Sequence, residues 1–183
     1  FFYSYFYQYY HMKKIVLIAL FTLSLFAKDK VDSSLYETNE VYVEGLVSNK
    51  LVLDIEALEK LIGVKTGAMP VVCMSGETKE NVQSYEGIKL KTILDNAGIE
   101  ISSKKDFNRI YIHVIASDGY DVIFSYNEIF NTKNGDNIIV FYKKNGKLLE
   151  PHEGKIALIS TDDIKNGPRH IKWLQKIIVK KID

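Results

Sequence analysis

The stretch Val71–Thr78, VVCMSGET, decides how the rest of the chain is interpreted, because it contains the only cysteine of the protein. An apolar run begins after Pro70, reaches Cys73, and gives way to the turn dipeptide Ser75-Gly76. This order predicts a buried strand that carries the cysteine to the edge of a turn. A single cysteine has no partner for a disulfide within the chain. Cys73 is therefore an inert thiol of the core, a metal ligand, or a group with an intermolecular or redox role.

The composition of the whole chain is that of an ordinary globular protein. Its 183 residues are 46% hydrophobic and 26% charged, which is enough apolar mass for one core, and we expect one domain. The 24 basic and 23 acidic residues are interspersed, and the formal net charge is +1. Nucleic-acid binding needs a basic stripe, which this charge pattern does not predict.

The N-terminal part predicts export. Met12–Lys14 is a positively charged start, and the apolar run Ile15–Ala27 ends in a small residue, as in a secretory signal peptide. We expect cleavage after Ala27, a periplasmic or otherwise exported protein, and no membrane span once the signal is removed; an uncleaved N-terminal anchor is the alternative. The aromatic-rich Phe1–His11 resembles translated upstream sequence, so we expect a mis-started leader plus signal peptide over 1–27, with Met12 as the true start. The single domain then covers 28–183.

The pattern along this domain favours an α+β fold with a mixed or antiparallel β core and short helices. Strands are predicted around 40–48, 71–74, 110–116, 120–125, 138–144 and 155–160, and in a long closing run at 170–182. Two hairpins are indicated, one by Ser117-Asp118-Gly119 and one by Asn145-Gly146. One short helix is expected behind an Asp54 N-cap and before Gly63, and another is expected to end at Gly98. The order is too irregular for repeated βαβ units.

Several kinds of site can be set aside on motif grounds. The chain has no Walker-type phosphate loop, no GxSxG motif and no CxxC motif. The histidines at 113, 152 and 170 show no zinc-ligand spacing, and Asp162-Asp163 is a weak candidate for a hydrolytic pair. By side-chain type alone, Met69, Cys73, Met74 and His113 would suit a soft copper site, which stays open as an alternative.

The ordered set of segments resembles the oxidoreductase molybdopterin-binding domain of sulfite-oxidase type. The resemblance extends from about residue 41 to residue 179. Its most specific parts are the cysteine before a Ser/Gly turn, the Asp-Gly-Tyr hairpin, the stretch NGKLLEPHEGKIALI and the closing Arg169…Lys172-Trp173-Leu174. It implies a sulfite-oxidase-type fold with a molybdenum-molybdopterin cofactor.

The resemblance also implies roles for particular residues. Cys73 would be the one thiolate that the protein supplies to molybdenum, and Arg169, His170 and Lys172 would bind the phosphate and polar rim of the pterin. If the closing run is a continuous strand, His170, Lys172 and Leu174 share one face. Trp173 is then expected to be buried on the other face.

Two functions remain open at this stage. The first is an exported molybdenum-cofactor oxidoreductase, or a subunit of one, that transfers an oxo group on a small sulfur- or nitrogen-oxide substrate and uses a periplasmic redox partner. The second is a cofactor-free periplasmic binding module that keeps the fold and binds a small ligand or a protein partner. Two features favour the second: the signal sequence is of the type used for unfolded export, and the acids of Glu77–Glu80 would repel an anionic cofactor.

Overall fold

The computed structural model describes residues 33–182. The leader and signal peptide predicted over 1–27, and the domain start predicted at residue 28, lie outside the described residues and stay predictions. Within 33–182, no helix has both the length and the apolar character needed to cross a membrane.

Short strands dominate the fold. The thirteen strands of the described part are β1 (Val41–Gly45), β2 (Leu51–Leu53), β3 (Gly63–Lys65), β4 (Met69–Val72), β5 (Thr78–Val82), β6 (Tyr85–Lys89), β7 (Ile110–Ala116), β8 (Asp121–Ser125), β9 (Ile138–Lys144), β10 (Lys147–Leu148), β11 (Ala157–Ser160), β12 (His170–Ile171) and β13 (Leu174–Lys181). The α-helices are α1 (Ile55–Glu59), α2 (Leu90–Ala97) and α3 (Tyr126–Phe130). Single 3₁₀ turns lie at Ser33–Tyr36, Lys104–Asn108, Lys133–Asn137 and Gly167–Arg169.

The strands form two large sheets and one hairpin. The first sheet has the order β2-β1-β13-β7-β8, and the second has the order β12-β11-β9-β6-β3 with β10 added to β9. Only the β1–β13 pair is parallel among the described strands, and all the others are antiparallel. β4 and β5 form a separate two-stranded sheet. The predicted α+β fold with a mixed, mainly antiparallel core is confirmed.

Strand β9 is buried on both of its faces, and this organises the core. Its even-numbered residues, such as Val140, join the main cluster, which also holds Val114 and Ile177 of the first sheet. Its odd-numbered residues, such as Phe141, join a second cluster that includes Val71 and Val82 of the β4–β5 hairpin. Because alternate side chains of a strand point to opposite faces, the hairpin covers the side of the second sheet that faces away from the first.

The caps predicted at Asp54 and Gly98 are confirmed, but the helix end predicted at Gly63 is wrong. Asp54 caps α1 by accepting a hydrogen bond from the backbone N–H of Ala57 at 2.7 Å, but the helix ends at Glu59, and Gly63 instead begins β3. α2 ends before Gly98, whose φ of 68° is the left-handed conformation that favours glycine at this position.

The predicted continuous closing strand is broken at Lys172 and Trp173. Trp173 has a φ of 49°, so the chain turns between β12 and β13 and the alternation of faces is lost. Leu174 is consequently buried in the main core, whereas Trp173 is only half-buried. The expectation that Leu174 shares a face with His170 and Lys172 was wrong, as was the expectation of a buried Trp173.

Candidate active site around Cys73

A cavity of about 480 Å³ opens beside the cysteine, and we call it the Cys73 cavity. Four stretches of chain line it: residues 73–79, 118–120, 167–168 and 170–173. Its chemically active lining residues are Cys73, Lys79, Asp118, His170 and Lys172. Volumes between about 300 and 1,000 Å³ are typical of sites for cofactors and other small molecules.

Hydrogen bonds between the Asn166 side chain and the backbone of β4 fix the position of Cys73 at the cavity. The Asn166 side chain accepts a hydrogen bond from the backbone N–H of Val72 at 2.8 Å and donates one to the carbonyl oxygen of Pro70 at 2.9 Å. The next residue, Gly167, lies so near that an added Cβ would sit 2.7 Å from the Val72 oxygen. The strand therefore ends one residue before Cys73, which is half-buried and lines the cavity instead of lying in the core.

The two lysines of the cavity have no ion-pair partner among residues 33–182. Lys79 comes from β5 and Lys172 from the turn between β12 and β13. Glu80, which follows Lys79, lies 3.2 Å from Lys144 Nζ. The positive charge of Lys144 offsets the repulsion that Glu80 was expected to exert on an anionic cofactor. One carboxylate, Asp118, does line the cavity.

His170 adds an uncharged polar group to the wall. Its Nε2 atom is shielded from solvent and has no hydrogen-bond partner within the described residues. Burial, followed by the positive charge of Lys172, lowers the pKa of His170 from 6.5 to about 4, because both disfavour the charged ring. His170 is therefore neutral at pH 7.

Two aromatic side chains at the rim of the cavity, Trp173 and Tyr120, donate hydrogen bonds to backbone carbonyl groups. Trp173 donates a hydrogen bond from its indole N–H to the carbonyl oxygen of Pro151 at 2.9 Å. Its backbone also packs closely against Gly154: a Cβ added to Gly154 would lie 2.7 Å from the Cα of Trp173. Tyr120 donates from its hydroxyl to the carbonyl oxygen of Pro168 at 2.6 Å. This bond ties the turn of the β7–β8 hairpin to the Gly167–Arg169 segment.

Arg169 lies outside the lining of the cavity. Its Nε is 2.6 Å from Asp163 Oδ2 and its Nη1 is 2.6 Å from Glu128 Oε1, while Nη2 also pairs with Asp163. The guanidinium stacks over the ring of Phe124 at 4.7 Å. Burial acts to lower the pKa of Arg169, but the hydrogen bonds with the two carboxylates outweigh it and raise that pKa. We call Arg169, Asp163 and Glu128 the Arg169 cluster.

The site residues predicted from sequence are thus partly brought together. Cys73, His170 and Lys172 share one cavity, while the guanidinium of Arg169 is already engaged by two carboxylates. The cofactor role predicted for Arg169 stays a prediction, although its contacts are structural ones. Sequence reasoning missed Lys79, which the strand alternation of Thr78–Val82 would have placed on the face opposite Glu80.

The alternative copper set is not assembled. His113 lies on β7 of the first sheet, where its Nε2 is 2.6 Å from Asp121 Oδ2 and its Nδ1 is 3.1 Å from Lys180 Nζ. It does not line the cavity that holds Cys73 and Met74. Within 33–182, no group of three or more histidine, cysteine or acidic residues is arranged to hold a metal ion. A copper site built on His113 and Cys73 is therefore wrong.

The residues of the cavity do fit a molybdenum-molybdopterin cofactor. A thiolate is a soft anionic ligand, and a cofactor that brings its own metal ligands needs only one from the protein. Two lysines suit a phosphate, and the imidazole ring of His170, which also lines the cavity, suits a polar ligand atom. Asp118 is the one lining group that opposes an anion.

Comparison with known proteins agrees with this fit. Among solved structures, the chain is similar to the sulfane dehydrogenase SoxCD from Paracoccus pantotrophus, with a TM-score of 0.59 and 17% sequence identity. The match covers 84% of this chain and 40% of that one, so this chain spans less than half the length of the SoxCD chain it matches. At this identity the similarity shows the fold, which is that of the sulfite-oxidase type. No curated protein sequence matches the chain.

A family model matches almost the whole of the chain. The model is that of the oxidoreductase molybdopterin binding domain, and the match runs over residues 29–183. It includes Cys73, Lys79, His170 and Lys172, the residues that line the cavity. The chain belongs to the oxidoreductase molybdopterin-binding domain family.

Proposed function

We propose that this protein is an exported molybdenum-cofactor oxidoreductase, or the cofactor-binding subunit of one, with its reaction centre in the Cys73 cavity. The substrate class is a small sulfur- or nitrogen-oxide. One observation carries the proposal: a half-buried thiol, two lysines without ion pairs in the described part, and the ring of His170 share one cavity.

Each lining residue has a role that follows from its chemistry. Cys73 would bind the metal as a thiolate, and Lys79 and Lys172 would neutralise the anionic groups of the cofactor and substrate. Trp173 and Tyr120 would wall the cavity and reduce the access of water. When bound, the cofactor would supply the two-electron change that accompanies the transfer of an oxygen atom.

Export and a redox partner belong to the same proposal. The apolar Ile15–Ala27 run after two lysines supports export, and cell fractionation with a C-terminal tag tests it: we expect the protein in the periplasmic fraction. Because each turnover would move two electrons between the cofactor and the substrate, a partner must remove them when the substrate is oxidised or supply them when it is reduced. Protein that stays in the cytoplasmic fraction would remove export from the proposal.

The decisive experiment is metal analysis of the protein purified from its own cells. We expect about one molybdenum atom per chain in the wild type, and loss of molybdenum in Cys73→Ser because the metal loses its thiolate ligand. Ser75→Ala, on the same turn, is the control and should keep its molybdenum.

Two results would contradict the proposal. Full molybdenum in Cys73→Ser would remove the assigned ligand. Absence of molybdenum from a folded wild-type protein would favour the alternative, a cofactor-free module that binds a small ligand or a protein partner in the same cavity.

A further inference from the structure

Within the described residues, two buried polar atoms lack hydrogen-bond partners, and they belong to two contacting rings, one of which, that of His170, lines the Cys73 cavity. They are the hydroxyl oxygen of Tyr85 and Nε2 of His170, and no other side-chain nitrogen or oxygen of residues 33–182 is in this condition. The two rings are in edge-to-face contact, with their centroids 6.2 Å apart. Phe141 packs against both rings.

Such a pair needs an explanation, because buried polar groups in native proteins are almost always hydrogen-bonded to protein or to an ordered water. A buried water needs two to four polar partners in one place. Tyr85 and His170 supply two of them. Nearby, the buried Glu153 bonds to Lys144 at 2.7 Å, and Lys144 also lies 3.2 Å from Glu80, so the surroundings are polar.

We propose that an ordered water molecule is bound between the Tyr85 hydroxyl and His170 Nε2, and that Tyr85 is a positioning residue that sets the tautomer of His170 through it. The Tyr85 hydroxyl donates to the water, and the water donates to Nε2. The ring proton of His170 then resides on Nδ1. His170 therefore offers the cavity a neutral N–H donor for an oxygen atom of a bound oxyanion or polar ligand.

The charges around His170 agree with this arrangement. Lys79, Lys144 and Lys172 face it with positive charge, and Glu80 is the carboxylate that opposes them. Burial raises the pKa of the Tyr85 hydroxyl, so it remains a hydrogen-bond donor at all working pH values. With two lysines already at the cavity, a neutral donor gives direction to a hydrogen bond without adding a third positive charge.

The inference deepens the proposed function but is tested without the cofactor. Protein labelled with nitrogen-15 in its histidines is produced in cells that cannot make the molybdenum cofactor, and the His170 signals are identified by their loss in His170→Gln. Proton–nitrogen NMR at pH 7 should show a neutral ring with the proton on Nδ1. In Tyr85→Phe, the ratio of the two tautomers should move towards Nε2–H by about fivefold to tenfold, as expected for the loss of one hydrogen bond.

Tyr111→Phe makes the same chemical change on the other sheet and should leave the His170 tautomer unchanged. Water contacts to the His170 and Tyr85 rings, measured by NMR in the wild type, provide a readout that needs no variant. An Nε2–H tautomer or a charged ring at pH 7 in the wild type, no water contact, or no change of tautomer in a folded Tyr85→Phe protein would overturn the inference. Because none of these readouts depends on molybdenum, the absence of metal from the native protein would remove the proposed function and leave this inference standing.

Discussion

The Arg169 cluster and the Cys73 cavity contain adjacent residues of the chain, yet their positive charges differ: the one in the cluster is paired with carboxylates, and those at the cavity are not paired within the described part of the chain. Arg169 is paired with Asp163 and Glu128, and its pKa is raised by them. His170, the next residue, has its pKa lowered to about 4. The amino groups of Lys79 and Lys172 have no ion-pair partner within 33–182.

The difference separates residues that hold the fold from residues that can hold a ligand. A cation already satisfied by two carboxylates has little charge left to offer a phosphate, whereas cations around a cavity do. We therefore expect adjacent positions in one family signature to serve different purposes. Four predictions test this division, from the largest expected effect to the smallest.

The largest effect concerns the pH dependence of stability. An unfolded histidine binds a proton near pH 6.5, whereas folded His170 does not until about pH 4, so falling pH favours the unfolded chain. The contribution is present above pH 6.5 and is lost between pH 6.5 and 4, at most about 3 kcal/mol. Urea unfolding of the cofactor-free protein from pH 7 to pH 4 should show this loss in the wild type and a correspondingly smaller one in His170→Gln. The exposed His152→Gln is the control, and identical profiles for all three proteins would mean that the ring is not shielded.

Arg169→Met should lower the free energy of unfolding by about 2 kcal/mol, because it leaves Asp163 and Glu128 half-buried without their cation. Lys172→Met removes a positive charge from the cavity wall and should change the free energy of unfolding by less than about 0.5 kcal/mol. Urea unfolding at pH 7 measures both. Equal stability of the two variants would remove the distinction between the cluster and the cavity.

The effect of these substitutions on anion binding should have the reverse order of their effect on stability. Lys79→Met and Lys172→Met should each weaken the binding of inorganic pyrophosphate to the cofactor-free protein about fivefold, measured by titration calorimetry at low salt. Arg169→Met, at a temperature where it remains folded, should bind as the wild type does. Weaker binding in Arg169→Met than in either lysine variant would return Arg169 to the site, as the family signature predicts.

The smallest effect is expected at Asp118, the acid in the cavity wall. Asp118→Asn should strengthen pyrophosphate binding about twofold, because it removes a repulsive charge near an exposed surface. Asparagine can still accept the hydrogen bond that Asp118 receives from the backbone N–H of Tyr120 at 2.9 Å. Asp95→Asn, on the exposed side of α2, should leave the affinity unchanged. Weaker binding in Asp118→Asn would show that the carboxylate itself contacts the ligand.

Local signals in the sequence predicted the two hairpins and the caps at Asp54 and Gly98, because few neighbouring residues determine them. Asn145 and Gly146 both have positive φ, as the turn between β9 and β10 requires, and Asp54 caps α1 with its own side chain. The parallel pairing of β1 with β13 has no such local signal. It depends on residues far apart in the chain that meet only in the folded core.

The lack of a local signal for contacts between distant residues also explains which parts of the candidate site were predicted. The family resemblance pointed to Cys73, His170 and Lys172, which do share a cavity, because their positions follow from the fold. It could not separate Arg169 from them, since its partner Glu128 lies 41 positions away in the sequence. The break at Trp173 has no local signal either: its positive φ occurs where its backbone packs closely against Gly154, a residue distant in the sequence.

The central position of β13 in the first sheet has a consequence for folding speed. It pairs with β1, roughly 130 residues earlier in the chain, and with β7, so this sheet cannot close until both distant pairings form. We expect slow folding and a long interval in which the edges of β1 and β7 are open. During that interval the open strand edges would expose the chain to aggregation, whatever its final ligand.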